Sequence, residues 1–207
     1  MPTRSVGVRF GGQRLPTLVR ARSHTRAGVV ISPISHALNT ALLPLAAQVR
    51  PEQPSDIDFA AALYALTRAT ELMQVPWSEA AKLAFCRQQF DAQHAHYATH
   101  YAQPQFLIIE RDGVRIGRVY VEQTAHEVCL MEITLLPEAR NRGVGAAISA
   151  ALVQHAHASG VAAGLHVEPL NPARRLYERQ GFREVEERGF YLYMRCEPPP
   201  APMPVSR

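Results

Sequence analysis

The sequence predicts one mixed α/β domain in which a mostly antiparallel sheet is flanked by helices. Three observations predict this fold class. Apolar residues alternate with a period of two in several short segments after Gln105, as they do in strands. The Asp112-Gly113 pair between two of these segments is typical of a tight hairpin. Helical spacing then returns between two strand-like segments, which indicates one crossover helix rather than a series of βαβ units.

The elements follow from local signals in chain order. A short first strand is expected at 48–51, and two helices follow it because apolar residues recur at helical spacing on either side of Pro76. Asn171-Pro172 supplies an N-cap and a first-turn proline for a short late helix that Gly181 closes. The predicted strands are 48–51, 106–109, 116–121, 128–136, 161–168, 182–186 and 190–194, and the crossover helix begins near Gly143 and ends at Gly160.

Charge and composition exclude several classes of function. The chain has 207 residues and a formal charge of +4, but residues 1–50 hold seven Arg and no acid, so the rest sums to −3. Without its basic beginning the protein does not look like a nucleic-acid binder. No run of 18 apolar residues occurs, which excludes an apolar membrane span. Three cysteines without a C-x-x-C pair predict free thiols and a cytoplasmic location.

The two ends differ in composition from the body. Residues 1–47 are basic, acid-free and interrupted by Gly and Pro, so we expect an unstructured or loosely attached extension. A targeting peptide, a flexible arm and upstream sequence included by the choice of start site are the open alternatives. Residues 196–207 form a proline-rich tail, and residues 48–195 are left as the folded domain.

The segment most informative about function is the loop between a predicted strand and the crossover helix. It reads Arg-Asn-Arg-Gly-Val-Gly-Ala from Arg140 to Ala146. Glycines at a helix start allow a ligand to approach the backbone, and the free N–H groups of the first turn bind phosphates. A dinucleotide fingerprint would need a third glycine where Ile148 stands, and the only lysine, Lys82, lies too far away for a P-loop.

The loop resembles the acyl-CoA pyrophosphate loop of the GNAT superfamily of N-acetyltransferases. A second motif, Asn171-Pro-Ala-Arg-Arg-Leu-Tyr-Glu-Arg-Gln-Gly-Phe182, resembles that family's N-x-x-A-x-x-L-Y-x-x-x-G-F. The order of elements agrees as well, and the resemblance covers about residues 48–195. It implies a GNAT-like acyl-CoA N-acyltransferase fold whose co-substrate is acetyl-CoA, with no metal.

The resemblance also implies roles for individual residues. The strand before the loop would line the acetyl and pantetheine arm, the loop would bind the pyrophosphate, and Asn171 would hold the far end of the arm. Tyr177 would protonate the departing thiolate; since Asn171 lies one residue closer to it than is usual, Asn171 is alternatively a helix cap. The implied cofactor-binding residues are Ile133, Thr134, Leu135, Arg140, Asn141, Arg142, Gly143, Val144, Gly145, Ala146, Asn171 and Tyr177.

A general base is needed to deprotonate an acceptor ammonium, and Glu132 and His166 are the candidates. Glu132 alternates with apolar neighbours, so we expect it on the opposite face of its strand from Cys129 and Met131. The pKa of an unperturbed histidine suits proton transfer, and His166 occupies the position at which relatives that acetylate ribosomal-protein N-termini carry a Glu base. A structural ion pair and an ordinary sheet histidine are the plain alternatives.

The end of the second helix is rich in imidazole and aromatic rings. His96 and His100 stand four residues apart, but no third metal ligand lies at a recognisable spacing. A rim for an amine substrate, which Tyr97 and Tyr101 would complete, is the functional alternative to a solvated helix face.

The sequence therefore predicts an N-acetyltransferase that moves the acetyl group of acetyl-CoA to a primary amine of a small molecule or peptide. We expect direct attack in a ternary complex, because Cys129 has no partner at triad spacing. The rival is a non-catalytic acyl-CoA-binding or sensing module on the same fold. Expected partners are the amine substrate but neither nucleic acid nor a membrane, in a monomer or homodimer.

Overall fold

A computed structural model describes residues 32–200. Within that range the chain forms five α-helices and seven strands. The helices are α1 (Pro33–Leu42), α2 (Ile57–Leu72), α3 (Glu79–His100), α4 (Val144–Ala158) and α5 (Arg174–Arg179). The strands are β1 (Ala47–Pro51), β2 (Pro104–Arg111), β3 (Val114–Gln123), β4 (Glu127–Leu135), β5 (Ala162–Val167), β6 (Arg183–Arg188) and β7 (Tyr191–Cys196).

All seven described strands form one sheet in the order β1-β2-β3-β4-β5-β7-β6. Among these strands only β4 and β5 pair in parallel, and every other neighbouring pair is antiparallel. A parallel pair requires a crossover, and α4 supplies it, as the sequence predicts. The predicted fold class is confirmed: a mixed, mostly antiparallel sheet with helices on both faces. None of the helices between residues 32 and 200 has the length and apolar character needed to cross a membrane.

One face of the sheet packs against α1 and α4 and is almost entirely apolar. Val119 and Val121 of β3 face Ile148 and Leu152 of α4, and all four are at most 2% exposed. Burying this many aliphatic side chains supplies most of the driving force for folding.

The predicted boundary at residue 47 is wrong. Residues 33–42 form α1, and its Ile34, Leu38 and Leu42 are completely buried against the main core. One of the prolines that interrupt this segment begins the helix, because Pro33 occupies the first turn and Ser32 before it accepts a hydrogen bond from the Ser35 N–H. The parts of the predicted extension and tail at 1–31 and 201–207 lie outside the described residues.

The opposite face is covered by α2 and α3 and is much more polar. Tyr120, Cys129 and Met131 form a small cluster there with aromatic rings of α3 and β2. Arg118, Glu122 and Thr134 are buried on the same face. The two helix layers therefore cover surfaces of different chemistry.

Candidate active site

The site begins where two parallel strands separate. β4 pairs with β5 only from Glu127 to Leu130, although β4 continues to Leu135. Because the Leu136 N–H bonds to Ile116 on the β3 side, alternation turns the main-chain groups of Ile133 and Leu135 toward the β5 side. A cleft results, and one of its walls carries the main-chain groups of Ile133 and the Leu135 N–H, at the position predicted for the pantetheine arm.

The start of α4 lies at the end of this cleft. No hydrogen bond within residues 32–200 uses a backbone N–H of residues 141–146 as its donor; the first bond of the helix runs from the Ala147 N–H to the Gly143 carbonyl. Arg140 holds the loop through a 3.0 Å hydrogen bond from Nε to the Leu135 carbonyl. Unpaired N–H groups at the positive end of a 15-residue helix form a site suited to a phosphate.

Glycine is favoured at positions 143 and 145 of the loop for two different physical reasons. Gly143 adopts a left-handed φ of 85°, which favours glycine at this helix cap. Gly145 lies in the helix, and a Cβ there would meet only Ile133 Cδ1, at 4.0 Å. The protein's own packing therefore does not require glycine at 145, whereas a ligand held against the backbone does. The loop fits the pyrophosphate of acetyl-CoA.

Tyr177 is buried on α5, beside this loop. Its ring packs edge-on against Phe182 at 5.8 Å, and Gln180 of the same segment donates to the Ala146 carbonyl at the start of α4. Burial, reinforced by the negative charge of Glu132, raises the pKa of Tyr177 to about 12. The hydroxyl is thus protonated at neutral pH, as a general acid must be before it acts.

The predicted orientation of Glu132 relative to Cys129 and Met131 is wrong, because β4 contains a bulge. Tyr120 pairs with Glu132 while Val121 pairs with Leu130, so Met131 is an extra residue in the ladder. The bulge places Glu132 on the same face as Met131, under α2 and α3. Its carboxylate is 20% exposed; Oε1 accepts from the Thr134 hydroxyl and lies 3.5 Å from Arg118 Nη2.

Sequence reasoning missed Arg118, which is completely buried on β3, opposite Thr134 and within ion-pair distance of Glu132. The signal was available, since an arginine stands inside the apolar segment from Ile116 to Val121. Arg118 belongs to a line of polar side chains that we call the buried polar chain, which crosses the sheet beneath α2 and α3. It consists of Glu52, Tyr120, Arg118 and Glu132, joined by the Tyr120 hydroxyl donating to Glu52 at 2.7 Å and Arg118 Nη1 donating to that hydroxyl at 3.4 Å.

His166 lies on β5 and faces the α3 side, opposite Tyr193 of β7. Its ring is 5.0 Å from the Tyr193 ring, and its Nε2 lies 3.4 Å from Arg188 Nη1. Burial, together with the charge of Arg188, lowers the pKa of His166. The ring is therefore neutral at neutral pH, but an arginine N–H occupies the nitrogen that a substrate would need.

α3, which corresponds to the second predicted helix, contributes aromatic rings rather than a group of metal ligands. Tyr97 and Tyr101 pack edge-on at 5.6 Å, and burial together with the charge of Glu132 raises the pKa of Tyr97. His96 and His100 stack on each other at 4.2 Å, while His94 bonds to Glu52 instead. Within residues 32–200 no group of three metal-ligating side chains occurs.

Two other candidates occupy less central positions. Asn171 is exposed, and its Oδ1 accepts the Ala173 N–H at 3.0 Å in a turn that precedes α5; the N-cap of that helix is Ala173 rather than Asn171, the residue that the sequence predicts. Cys129 is buried, and burial raises the pKa of its thiol to about 12, reinforced by the charges of Glu127 and Glu122. A thiol protonated this firmly is a poor nucleophile.

Comparison with protein families agrees with this geometry. Residues 64–182 match the model of the acetyltransferase (GNAT) family, which covers more than half of the chain. No curated protein matches the chain by sequence.

Several solved structures have the same fold. The PaiA N-acetyltransferase of Thermoplasma acidophilum, solved with coenzyme A, is 16% identical with a TM-score of 0.56, over 73% of this chain and 98% of that one. The ribosomal-protein-S18-alanine N-acetyltransferase of Escherichia coli is 18% identical with a TM-score of 0.51, over 78% and 99%. The spermidine N-acetyltransferase of Vibrio cholerae, solved with CoA and spermine, is 16% identical with a TM-score of 0.50, over 73% and 94%.

Proposed function

Because the chain belongs to the acetyltransferase (GNAT) family, we propose that it transfers the acetyl group of acetyl-CoA to a primary amine of a small molecule or peptide. The observation that carries the proposal is the row of unpaired N–H groups at the start of α4, beside the cleft between β4 and β5. A protonated, buried tyrosine adjoins them. A monomer or homodimer and a cytoplasmic location stay predictions from the sequence.

The proposed binding site combines main-chain and side-chain groups. The N–H groups of residues 141–146 bind the pyrophosphate, with Arg140 and Arg142 adding positive charge around it. The main-chain groups of Ile133 and the Leu135 N–H line the arm, whereas the main-chain groups of Thr134, also expected there, face β3 instead. The Asn171 amide stands near the far end of the arm. When bound, acetyl-CoA supplies a thioester carbonyl for attack and a thiolate as leaving group. The protein supplies alignment of the amine and N–H groups directed at the developing oxyanion.

Glu132 and His166 remain the two candidate bases, and the contacts favour Glu132. Its Oε2 takes part in no hydrogen bond within residues 32–200, so that oxygen is available to receive the ammonium proton. Its charge also acts on Tyr177, the proposed acid. Loss of the acidic limb of kcat/KM in Glu132→Gln, with the limb retained in His166→Ala, would identify the carboxylate as the base.

Tyr177 is the proposed acid. Its phenol protonates the departing thiolate in a cleft where water has little access, so the proton is worth more there than in bulk solvent. Direct attack of the amine in a ternary complex is favoured over a covalent enzyme intermediate, because Cys129 is the cysteine on the central strand and its thiol is held protonated.

The rival function is a non-catalytic acyl-CoA-binding or sensing module. The two are separated by incubating the full chain and acetyl-CoA with a panel of polyamines, amino acids, aminoglycosides and short peptides while free thiol is measured. Amine-dependent thiol release above the rate of plain hydrolysis supports the enzyme. Tight acetyl-CoA binding without release for any amine supports the sensing module and contradicts the proposal.

The binding site is tested by Gly145→Asp. The new carboxylate would lie where the phosphates bind, and the protein has room for it, so we expect acetyl-CoA affinity to fall more than tenfold, which is about 1.4 kcal/mol, with the fold intact. Gln154→Glu adds the same charge on an exposed turn of α4 and is the matched control. Equal affinities of the two folded variants by calorimetry would remove the loop from the site.

A further inference from the structure

Arg118 carries a positive charge in the interior of the protein, where burying a charge costs free energy. Its side chain is completely buried in β3 beneath α2 and α3. The guanidinium lies between two rings, 5.0 Å from the Tyr120 centroid and 5.1 Å from the Phe90 centroid. A buried guanidinium persists in such a setting only if nearby groups satisfy its charge and its N–H donors.

The hydrogen bonds of Arg118 are long and do not satisfy all its donors. Nη1 donates to the Ala60 carbonyl and the Tyr120 hydroxyl, and Nη2 donates to Gln93 Oε1, each at 3.4 Å. Nε is buried and has no hydrogen-bond partner in the described part of the chain. Within residues 32–200 the one carboxylate within ion-pair distance is Glu132, at 3.5 Å. Arg118 therefore depends on Glu132 for charge balance, and its other contacts fix where the guanidinium lies.

Glu132 in turn depends on Arg118 for charge balance. The groups that face Glu132 are Arg118 from β3, Thr134 from its own strand, Tyr97 from α3, Tyr177 from α5 and Tyr191 from β7. The tyrosines are protonated at neutral pH, because burial and the charge of Glu132 raise their pKa values. Arg118 is then the one cation among the groups that face this carboxylate.

We propose that Arg118 is a positioning residue for acetyl transfer: it balances the charge of the Glu132 carboxylate and holds it through Oε1, so that Oε2 is directed to the acceptor amine. The inference rests on the proposed function and assigns a role to a residue outside the two family motifs. The other end of the buried polar chain anchors the arrangement, since Glu52 holds Tyr120, and Tyr120 in turn accepts from Arg118.

The test compares Arg118→Met, which removes the charge, with Arg118→Lys, which keeps it. In the full chain, with acetyl-CoA and an amine that the wild type accepts, kcat/KM is measured from pH 5 to 9. In Arg118→Met we expect a fall of about ten- to a hundredfold at neutral pH, a higher KM for the amine and an acidic limb moved to higher pH. Arg118→Lys should keep the limb and recover most of the rate.

Two further measurements keep the test decisive. Acetyl-CoA affinity by calorimetry should be unchanged in both variants, because Arg118 lies away from the phosphate loop. In a Glu132→Gln background, Arg118→Met should lower kcat/KM by less than twofold, since its action passes through the carboxylate. If Arg118→Met does not fold, Arg118→Gln replaces it, being neutral but still polar.

An active Arg118→Met or Arg118→Gln variant with the wild-type pH profile and amine KM would overturn the inference. Equal losses in the lysine and neutral variants would overturn it too, because charge would then not be the cause. Failure of the proposed function would look different, since the wild type itself would release no thiol with any amine.

Discussion

The two faces of the sheet are buried to a similar depth but by different means. The face under α1 and α4 is filled by aliphatic side chains such as Leu38, Val119 and Ile148, each fully buried. The face under α2 and α3 encloses Arg118 and Glu132 among aromatic rings. Aliphatic packing supplies stability in proportion to the area removed from water, whereas buried charges add little net stability and fix geometry. The first face therefore supplies most of the stability, whereas the second face holds the proposed base and its charge partner.

Removal of α1 should have the largest effect, which is a loss of thermal stability. A chain beginning at Ala46 loses three completely buried side chains, worth roughly 5 to 9 kcal/mol at about 1.5 to 3 kcal/mol each. Because that loss approaches the whole stability of a typical domain, we expect no cooperative thermal transition above room temperature. A chain beginning at Ser32 retains α1 and is the control. If both chains melt alike, the apolar face does not carry the stability of the domain.

Tyr177→Phe should have the next largest effect, which is a lower catalytic rate. The variant keeps the ring that packs against Phe182 and removes only the hydroxyl, so Tm should change little. We expect kcat to fall about ten- to a thousandfold with acetyl-CoA affinity unchanged, below the upper limit for general acid catalysis. Phe182→Leu, which disturbs the packing but keeps the acid, should show the reverse pattern. Full kcat in Tyr177→Phe would leave this tyrosine a packing residue only.

The smallest expected effect belongs to a charged cluster at the edge of the polar face. Asp56 is 2% exposed and forms ion pairs with Arg50 at 2.6 Å and Arg115 at 3.2 Å. The Arg50 hydrogen bond outweighs burial and lowers the pKa of Asp56 well below its usual range. Asp56→Asn should cost about 2 kcal/mol of unfolding free energy at pH 7, measured by urea titration.

The sign of the pH dependence follows from that lowered pKa. The stabilisation by Asp56 is fully present above the unfolded pKa, near 3.9, and is lost as pH falls through the folded value. The difference in stability between wild type and Asp56→Asn should therefore be constant from pH 7 to 5 and shrink below pH 4. Asp58→Asn is the matched control, because the Asp58 side chain is 90% exposed. A difference that stays constant from pH 5 down to pH 2.5, without shrinking, would assign the loss to packing rather than charge.

Local sequence signals predicted the strands, the crossover helix and the phosphate loop, because each depends on neighbours a few residues apart. Asp112-Gly113 marks the β2–β3 turn, where both residues have positive φ. The signals for α1 were also local, with Ser32-Pro33 at its start and apolar residues four apart. The basic, acid-free composition of the whole N-terminal segment outweighed them in the prediction and moved the boundary to 47.

The position of Glu132 could not be predicted in this way. Alternation assigns a face to each residue of a strand only while the ladder is regular, and the bulge at Met131 shifts every later residue by one. A bulge is set by pairing with β3, whose partner residues at this point lie nine to twelve positions earlier, rather than by local preference. The ion pair with Arg118 depends on the same long-range register and was missed for the same reason.

The two outer strands of the described sheet offer a final contrast, in how each exposed edge is kept from pairing with a further strand. At β1 the Asn39 side chain of α1 accepts the Val49 N–H at 2.6 Å and donates to the Val49 carbonyl at 3.2 Å, as a neighbouring strand would. At β6 all six residues are exposed, and five of them are Arg or Glu. One edge is occupied by a side-chain amide and the other is protected by charge, so aggregation through strand addition is opposed at both ends. A single Asn39→Leu exchange would reopen the first edge to intermolecular pairing.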